Sequence, residues 1–404
     1  MNNKKRHSLT EKFRQDIITW DAFDKKTEIT GYKGVPIYTN EFWTSKQRAG
    51  NSLHEISYRA CFKPQLPNFF ISRLTEKGDV VFDPFMGRGT TLLEAILMGR
   101  ETGGNDVNPL SEILVAPRLM PPTLEEVALF LKSFAFSYDG PVWQDLQIFF
   151  EKQTLLEIYA LREYFIETEK ARSLTNVEKW VRMVAVNRLT GHSKGFFSVY
   201  TLPPNQATSI ERQRKINQKR SQIPEYRDTK KLILGKTKSL LKDYSHTNAF
   251  QKEPIFFNKD INDGLPDSQP FITLSVTSPP FLNIVDYKSD NWLRCWFLGI
   301  DSEDVAITQT PKIDEWRGMV EKSLTEVAKL TLPGGYFAFE VGEVRNGKIK
   351  LEELVIEASR DTPWTAELVL VNEQDFTKTS NAWGVQNNKK GTNSNRIVLF
   401  SLRS

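Results

Sequence analysis

One group of residues in this sequence has the types and spacing that bind a cofactor. The stretch DPFMGRGTT, from Asp83 to Thr91, places Gly87 and Gly89 between an apolar run and an apolar-periodic segment. Glycines at such a junction let the backbone approach a ligand closely, and the helix start beyond them offers unpaired N–H groups. No Gly-Lys-Ser/Thr follows, so this is not a phosphate-cradling loop. Asp106 ends the next apolar run, 17 residues after Gly89, where a carboxylate can accept two hydrogen bonds from ribose hydroxyls. These features suit a nucleoside cofactor whose tail need not be a pyrophosphate, and S-adenosylmethionine fits that description.

A second group is a rigid corner at the end of a predicted core strand. The run Ile272 to Ser278 is apolar and β-branched and ends in Ser-Pro-Pro-Phe, Ser278 to Phe281. Pro121-Pro122 precedes an acidic helix start and is read as a helix entry, and Pro203-Pro204 is read as a loop element. Of the three Pro-Pro pairs, Pro279-Pro280 alone has a strand and a hydroxyl before it and an aromatic ring after it. Proline rigidity would fix the direction of any acceptor in this corner.

The third group is a concentration of positive charge. The chain carries a net charge of +4, but residues 211–243 hold eleven Lys/Arg against four acids, so the remainder of the chain is slightly negative. Such a run is either a solvated helical face or a surface for phosphate contacts.

The elements that must position these groups follow from periodicity. We predict an α/β region from about residue 51, with a helix over 66–74, a strand over 79–85, a helix to about residue 98 and a strand ending at Asp106. Residues 121–250 show mostly the apolar spacing of helices. Strand-like patterns return over 253–260, 272–278 and 334–342. Two further strands near the end of the chain suggest a terminal antiparallel pair on an otherwise parallel sheet.

Composition excludes several classes of protein. A chain of 404 residues with 39% hydrophobic content is typical of a globular protein with one large domain and an insertion, or with two domains. No apolar run reaches the roughly 18 to 20 residues that cross a bilayer, and the N-terminus lacks a signal-peptide core, so we expect a cytoplasmic protein with no membrane partner. Two cysteines, Cys61 and Cys295, and four histidines make a disulfide framework or a metal site improbable.

The motifs resemble a known family. TSPPF (Thr277 to Phe281) together with FDPFMGRGTT (Phe82 to Thr91) resembles the signature pair of the amino-methylating DNA methyltransferases, and the serine resembles the cytosine-N4 branch, of bacterial restriction-modification type. FKPQLPNFFI (Phe62 to Ile71) and NDVNPL (Asn105 to Leu110) resemble cofactor-contacting segments, and Asp260 lies where the family contacts the adenine. The resemblance covers roughly residues 51–120 and 253–404.

The resemblance implies a Rossmann-like methyltransferase sheet and assigns roles. Ser278, Pro279 and Pro280 would make the catalytic corner, with the Ser278 oxygen and the Pro279 carbonyl accepting hydrogen bonds from the target amine, and Phe281 would stack on a flipped base. No covalent intermediate is needed, so neither cysteine is expected to act as a nucleophile. Implied cofactor-binding residues are Phe62, Lys63, Pro64, Asp83, Pro84, Phe85, Gly87, Gly89, Thr90, Thr91, Asp106, Asn108 and Asp260.

For several other residues the sequence allows both a functional role and a packing role. Trp292 and Trp296 are read as core residues rather than walls of a base pocket, and Asp286 and Tyr287 lie close enough to the corner to line such a pocket. Glu340 is expected at a strand end, where a role in the site and simple solvation are both open. Asn381 and Trp383 loosely resemble a late family segment near the flipped base.

The spacing of the two motifs predicts an inserted module. About 190 residues separate the glycine loop from the corner, more than a crossover connection needs. We therefore expect residues 1–50 as an N-terminal extension, 51–120 and 251–404 as the catalytic domain, and 121–250 as a helical, basic DNA-recognition region. Its predicted phosphate-binding residues are Arg212, Arg214, Lys215, Lys219, Arg220, Lys230 and Lys231.

Three functions remain open from the sequence. The first is transfer of a methyl group from S-adenosylmethionine to cytosine N4 in duplex DNA. The second is adenine-N6 methylation on the same scaffold, and the third is an RNA-directed or catalytically silent protein of this fold. We expect a monomer, with a cognate restriction endonuclease as a possible companion.

Overall fold

The computed structural model describes residues 3–44, 50–58, 61–203, 207–245, 252–280, 287–301, 312–342, 349–373 and 394–403. Within those residues nine strands form one sheet. Their bounds are β1 Glu28–Tyr32, β2 Val35–Asn40, β3 Val80–Asp83, β4 Glu101–Asn105, β5 Ile255–Phe257, β6 Ile272–Thr277, β7 Thr331–Val341, β8 Trp364–Glu373 and β9 Ser394–Leu402.

The strand order is β1-β2-β8-β9-β7-β6-β3-β4-β5. The run β7-β6-β3-β4-β5 is parallel throughout, and β9 pairs antiparallel with both β7 and β8. A parallel sheet needs long crossover connections, and α3 (Thr90–Leu97) connects β3 to β4 while α10 (Tyr287–Leu298) and α11 (Ile313–Leu330) connect β6 to β7. The expectation of a mostly parallel, Rossmann-like α/β sheet with a terminal antiparallel pair is confirmed.

The bounds of the helices are α1 Asn3–Ile18, α2 Gln65–Leu74, α3 Thr90–Leu97, α4 Pro109–Leu119, α5 Leu124–Ser133, α6 Lys152–Ala171, α7 Asn176–Arg188, α8 Ile210–Arg220, α9 Thr229–Leu240, α10 Tyr287–Leu298, α11 Ile313–Leu330 and α12 Leu351–Ala358. Six of the helices, α4 to α9, lie between β4 and β5, and the segment predicted to be mostly helical contains five of these.

The first 50 residues are joined to the sheet. β1 and β2 form a hairpin, and β2 pairs in parallel with β8. From α1, Phe13 and Ile17 are buried against Phe69 and Phe70 of α2, and the hydroxyl groups of Thr10 and Tyr336 lie 2.9 Å apart. The segment that the sequence set apart as an N-terminal extension thus contributes two strands and a packed helix to the same body.

β6 explains why its sequence reads as one apolar run. All six of its residues are buried, because helices cover both faces of this central strand. The strand therefore delivers Ser278, the residue after its end, to the edge of the sheet from a fixed position.

The helical insertion shares the core of the sheet. Capping boxes at Thr123–Glu126 and Thr175–Glu178 start α5 and α7. One buried cluster contains Leu92 and Leu93 of α3 together with Trp180 of α7. The described residues of 121–245 thus share a core with the helices of the sheet. Among the helices of the described residues, none is long and apolar enough to cross a membrane.

Candidate active site

The candidate residues gather at one edge of the sheet. β3, β4, β5, β6 and β7 are parallel, so their carboxyl ends meet at that edge. From β3 the chain moves outward through β4 to β5, and then returns to the other side of β3 to form β6 and β7. The order thus reverses between β3 and β6, and open α/β sheets bind ligands in the crevice at such a point.

The glycine loop follows β3. Gly87 and Gly89 have positive φ angles of 49° and 73°, which L residues with side chains rarely adopt. A Cβ atom on Gly89 would lie 2.6 Å from Val115 Cγ2, so α4 leaves no room for a side chain there. Gly89 is also the residue before α3, and Thr90 begins that helix. The two glycines are therefore required by the geometry of the loop.

Asp106 follows β4 and holds the same loop. Its carboxylate accepts hydrogen bonds from the Gly87 N–H at 2.8 Å and the Asn108 N–H at 2.9 Å. Burial raises the pKa of Asp106, and these backbone donors oppose the rise. The side chain is only half-buried, and an ionised carboxylate can accept about four hydrogen bonds. The Asp106 carboxylate can therefore accept further hydrogen bonds, such as those from ribose hydroxyls.

Asn108 caps the helix that follows Asp106. Its side-chain oxygen accepts from the Leu110 N–H at 3.0 Å and so caps α4, and its Nδ2 donates to the Tyr58 hydroxyl at 3.1 Å. The residue is fully buried. It positions the turn that carries Asp106.

Asp260 reaches the site from β5. It caps a short 3₁₀ turn by accepting from the Asn262 N–H at 2.9 Å, and it is half-buried. Asn105, at the end of β4, ties this segment to the glycine loop: its Nδ2 donates to the carbonyls of Pro84 and Lys259, each at 3.1 Å, and its Oδ1 accepts from the Lys259 N–H at 3.1 Å. Asn105 was not singled out from the sequence.

Asp83 points into the protein. It is 1% exposed, and its carboxyl accepts from the Thr277 hydroxyl at 2.5 Å and from the Phe85 N–H at 3.1 Å. Burial raises its pKa to about 7, against the effect of these donors. Asp83 was predicted as a cofactor contact, and its described partners all belong to the chain's own loop, helix and neighbouring strand.

The Ser-Pro-Pro corner leaves β6 beside β7. Ser278 is half-buried, and its side chain forms a hydrogen bond with the carboxylate of Glu340. Glu340 is 4% exposed and also accepts from Asn395 Nδ2 at 3.0 Å. Its burial raises its pKa, which the two hydrogen bonds counteract. Of the two roles left open for Glu340, contact with the corner is the one the structure shows.

A tryptophan fixes the second proline. The indole Nε1 of Trp316, from α11, donates to the Pro280 carbonyl oxygen at 3.0 Å. Trp316 is 2% exposed, so this contact is shielded from water. Trp316 lies 36 residues from Pro280 in the sequence, and no local sequence pattern predicts the contact.

The remaining predicted residues fall into two sets. Thr90 and Thr91 are buried in the first turn of α3, Pro84 is buried, and Phe62, Pro64 and Phe85 are half-buried, with Lys63 exposed before α2. Phe281, Asp286, Asn381 and Trp383 lie outside the residues that the structure describes, and only the backbone of Tyr287, the first residue of α10, is described. Their predicted roles stay predictions.

A buried arginine supports the glycine loop from behind. Arg118, fully buried in α4, donates to the carbonyl oxygens of Leu114 at 2.7 Å and Leu53 at 3.1 Å, and to that of Arg88 in the loop. Burial and the neighbouring Arg88 lower the pKa of Arg118 to about 9. The position of Arg118 among the apolar residues of α4 is the feature of the sequence from which this role could have been predicted.

The basic residues of the insertion lie on two helices. Arg212, Arg214, Lys215, Lys219 and Arg220 are exposed on α8, Lys231 is exposed on α9, and Lys230 is half-buried there. In the described parts of the chain, none of these seven has a carboxylate within 4.0 Å. The guanidinium of Arg220 stacks over the Tyr200 ring at 3.8 Å. The structure thus leaves their charge available to an anionic partner.

The insertion contacts the helix that follows the corner. The Ala207 N–H donates to the Asp290 carbonyl at 3.1 Å, and Trp292 Nε1 donates to the Thr208 carbonyl at 3.2 Å. Trp292 and Trp296 of α10 pack against aromatic rings of the insertion. Packing was the reading favoured for both. Burial raises the pKa of Cys295 on the same helix to about 11, as expected for a packing residue.

Comparison with known proteins agrees with the motifs. Residues 3–113 match the family model for DNA methylases of the N6/N4 type. Over this segment the chain is similar to DNA methylases of this type. It is 28% identical over 127 residues to the type II methyltransferase M.MjaII of Methanocaldococcus jannaschii, covering 30% of this chain and 23% of that protein. It is 39% identical over 67 residues to the type II methyltransferase M.MvaI of Kocuria varians, covering 16% and 15%.

These matches are partial. The chain spans less than a quarter of the length of these curated methylases. Among solved structures, TrmN from Thermus thermophilus aligns with 87% of this chain and 51% of its own, at a TM-score of 0.32 and 12% identity. The match to the DNA methylase family covers the glycine loop and Asp106, and the corner lies beyond its end.

The residues present fit the methyl donor of this methylase family, S-adenosylmethionine. The glycine loop has two backbone positions with no side chain, and Asp106 is a half-buried carboxylate that can accept further hydrogen bonds. Asp260 reaches the same edge from the next strand. The residues that would hold the cofactor are therefore Gly87, Asp106 and Asp260, while Asp83 and Asn108 support them from within.

Proposed function

We propose that this chain transfers a methyl group from S-adenosylmethionine to the exocyclic N4 amine of a cytosine flipped out of duplex DNA. One observation carries the proposal: the end of β6 places Ser278 beside the strand that carries the glycine loop, at the reversal point of the sheet. A methyl donor in the loop and an amine at the corner would then be neighbours. The serine favours cytosine N4 by the resemblance described above.

The hydrogen bond to Glu340 prepares the serine to accept. A hydroxyl group has one proton and two lone pairs. If that proton is donated to the Glu340 carboxylate, the lone pairs of Ser278 are left for the N–H groups of the substrate. An amine conjugated to a base ring is a poor nucleophile, and acceptors on its N–H groups favour the pyramidal form whose lone pair can react. Glu340 can also receive the proton that the amine gives up, through Ser278.

The rest of the corner restricts motion. When bound, the cofactor supplies an electrophilic methyl group on a sulfonium. Pro279 and Pro280 have φ fixed by their rings, and Trp316 holds the Pro280 carbonyl at 3.0 Å. Holding the reacting groups in the correct orientation lowers the entropy cost of reaching the transition state. We expect this to be the main contribution to the rate, because no covalent intermediate forms.

The decisive experiment is product identification. The protein is incubated with labelled S-adenosylmethionine and duplex DNA or RNA, the nucleic acid is digested to nucleosides, and the labelled nucleoside is identified. We expect N4-methylcytosine from DNA. Label in N6-methyladenine, in RNA alone or in ring carbon-5 of cytosine would overturn the proposal.

A matched pair of serine variants isolates the corner. Ser278→Ala should reduce turnover by at least about tenfold, because the acceptor is lost. Ser275→Ala is the control: Ser275 lies in the same strand, is fully buried, and its hydroxyl has no hydrogen-bond partner among the described residues. Equal activity of the two variants would contradict a catalytic role for Ser278.

We further propose that α8 and α9 bind the DNA backbone. The support is the set of lysines and arginines on these helices that have no carboxylate within 4.0 Å among the described residues, six of them exposed. Ala207 and Thr208, just before α8, contact the helix that follows the corner. Lysine and arginine contacts to phosphates release counterions, so affinity falls with salt in proportion to the number of contacts.

The test is a salt series on a charge-neutralised variant. Lys215, Lys219, Arg220, Lys230 and Lys231 are changed to glutamine, and duplex binding is measured from low to moderate salt. If all five contact phosphates, the slope of log K against log salt should decrease by about four units. Lys77 and Arg360 are exposed at the opposite edge of the sheet, before β3 and β8, and their replacement is the control. An unchanged slope in the fivefold variant would refute the proposal.

We also propose an oligomeric state and a companion protein for this methylase. A single-target methylase can act as a monomer in the bacterial cytoplasm, with a restriction endonuclease as its companion. Sedimentation of the purified protein with and without a short duplex tests the first part, since a dimer in either state would contradict it.

A further inference from the structure

A buried hydrogen bond joins the two motifs directly. Thr277, the last residue of β6, lies immediately before Ser278 and is fully buried. Its hydroxyl donates to Asp83 Oδ1 at 2.5 Å, and Asp83 is the last residue of β3, where the glycine loop begins. The ends of the two strands are thus tied by side chains.

Thr91 adds a second tie from the far side of the loop. It lies in the first turn of α3, is fully buried, and donates its hydroxyl proton to the Val276 carbonyl at 3.1 Å. The same hydroxyl also lowers the pKa of the Asp83 carboxyl. Thr277 and Thr91 thus tie the two ends of the glycine loop to β6, and we call Asp83, Thr91 and Thr277 together the latch.

The backbone does not provide this connection. In the parallel ladder between β3 and β6, Val81 pairs with Leu274 and Phe82 with Ser275, and the pairing stops there. Asp83 and Thr277 pair with Gly104 of β4 and Phe339 of β7, and the direct connection between the two residues is made by their side chains. Thr91 anchors the other end of the loop to the same strand.

We propose that the latch sets the distance between the glycine loop and the Ser-Pro-Pro corner, with Thr277 as a positioning residue for methyl transfer. This inference rests on the function proposed above. In-line transfer needs the reacting atoms about 3 to 3.5 Å apart, and a misplacement of about 1 Å can cost on the order of a hundredfold in rate. Since the latch is buried, no water molecule is at hand to replace a lost hydroxyl.

The test compares two substitutions at Thr277. Thr277→Val keeps the shape and removes the hydroxyl, and Thr277→Ser keeps the hydroxyl and removes a methyl group. We expect Thr277→Val to lower kcat about ten- to a hundredfold, while the Kd of S-adenosylmethionine, measured by calorimetry, changes by less than about threefold. Thr277→Ser should recover most of kcat.

Several outcomes would overturn the latch. A Thr277→Val enzyme with kcat within twofold of wild type would do so, as would equal losses in the Val and Ser variants. If Thr277→Val fails to fold, Thr91→Val is measured instead, and it must show the same loss of kcat for the proposal to stand. Failure of the proposed function itself is distinct, because the wild-type protein would then transfer no methyl group to DNA.

Discussion

Replacing Asp83 by asparagine removes an ionisable group from the buried centre of the site and should change how stability depends on pH. The ordinary pKa of this carboxyl is 3.8, and burial raises it to about 7 in the folded protein. Between these values the unfolded chain binds fewer protons than the folded one. The free energy of unfolding of the wild type should therefore fall as pH rises across this range.

The magnitude follows from the shift. One pKa unit corresponds to about 1.4 kcal/mol, so ionising Asp83 costs the folded wild type roughly 4 kcal/mol over the full window. The Asp83→Asn variant carries no such cost, because its amide stays neutral, and its carbonyl can still accept from Thr277. Relative to wild type, the variant should gain roughly 3 kcal/mol between pH 5 and pH 8.

The assay is urea unfolding of both proteins at intervals from pH 5 to pH 8. Asp267→Asn is the control, since Asp267 is exposed and its replacement should leave the difference from wild type flat. A pH-independent difference between Asp83→Asn and wild type would refute the reasoning, because it would mean that the buried carboxyl is already ionised at pH 5.

Three further results are expected. Gly89→Ala should lower the free energy of unfolding by roughly 2 to 5 kcal/mol, because the new side chain would adopt a strained left-handed conformation and clash with Val115. Gly87→Ala should lower it by only roughly 1 to 2 kcal/mol, because its Cβ would lie 3.7 Å from the nearest neighbouring atom. Equal losses of the two variants in urea unfolding would contradict this. Glu340→Gln should lower kcat at least about tenfold with little change in cofactor affinity, and single-turnover methylation at the wild-type rate would count against it. Hydrogen bonds from Arg172, Tyr164 and Thr175 lower the pKa of Glu178 to about 2. The difference in free energy of unfolding between wild type and Glu178→Gln should therefore shrink as pH falls from 4.5 toward 2. Acid unfolding followed by circular dichroism measures this difference.

Much of the fold could be predicted because its pattern is local. The apolar run at 272–278 and the glycine junction at 87–89 are a buried strand and a strand-to-helix turn, as their composition indicates. The hairpin β1–β2 was not predicted, since short edge strands with exposed residues carry little periodicity. Its place beside β8 depends on a pairing across more than 300 residues.

The site was predictable in its residue types and less so in its contacts. The sequence predicts Asp106 and Ser278 as site residues because their neighbours in the chain form recognisable motifs. It also predicts Asp83 as a cofactor contact, and the hydrogen bond of that side chain to Thr277, 194 residues away, could not be read from the sequence. Trp316 and Asn105 act through partners distant in sequence, and no spacing rule relates them.

The shared core of the insertion and the sheet limits how this protein can acquire a new target. In an enzyme whose recognition region folds alone, that region can be exchanged as a cassette. Here α10 holds Trp292 and Trp296 against the insertion while continuing the chain that makes the corner. A chimaera cut at residues 121 and 250 would leave both tryptophans without their partners. Substitutions on the exposed faces of α8 and α9 are instead expected to change the affinity for DNA without disturbing the catalytic edge.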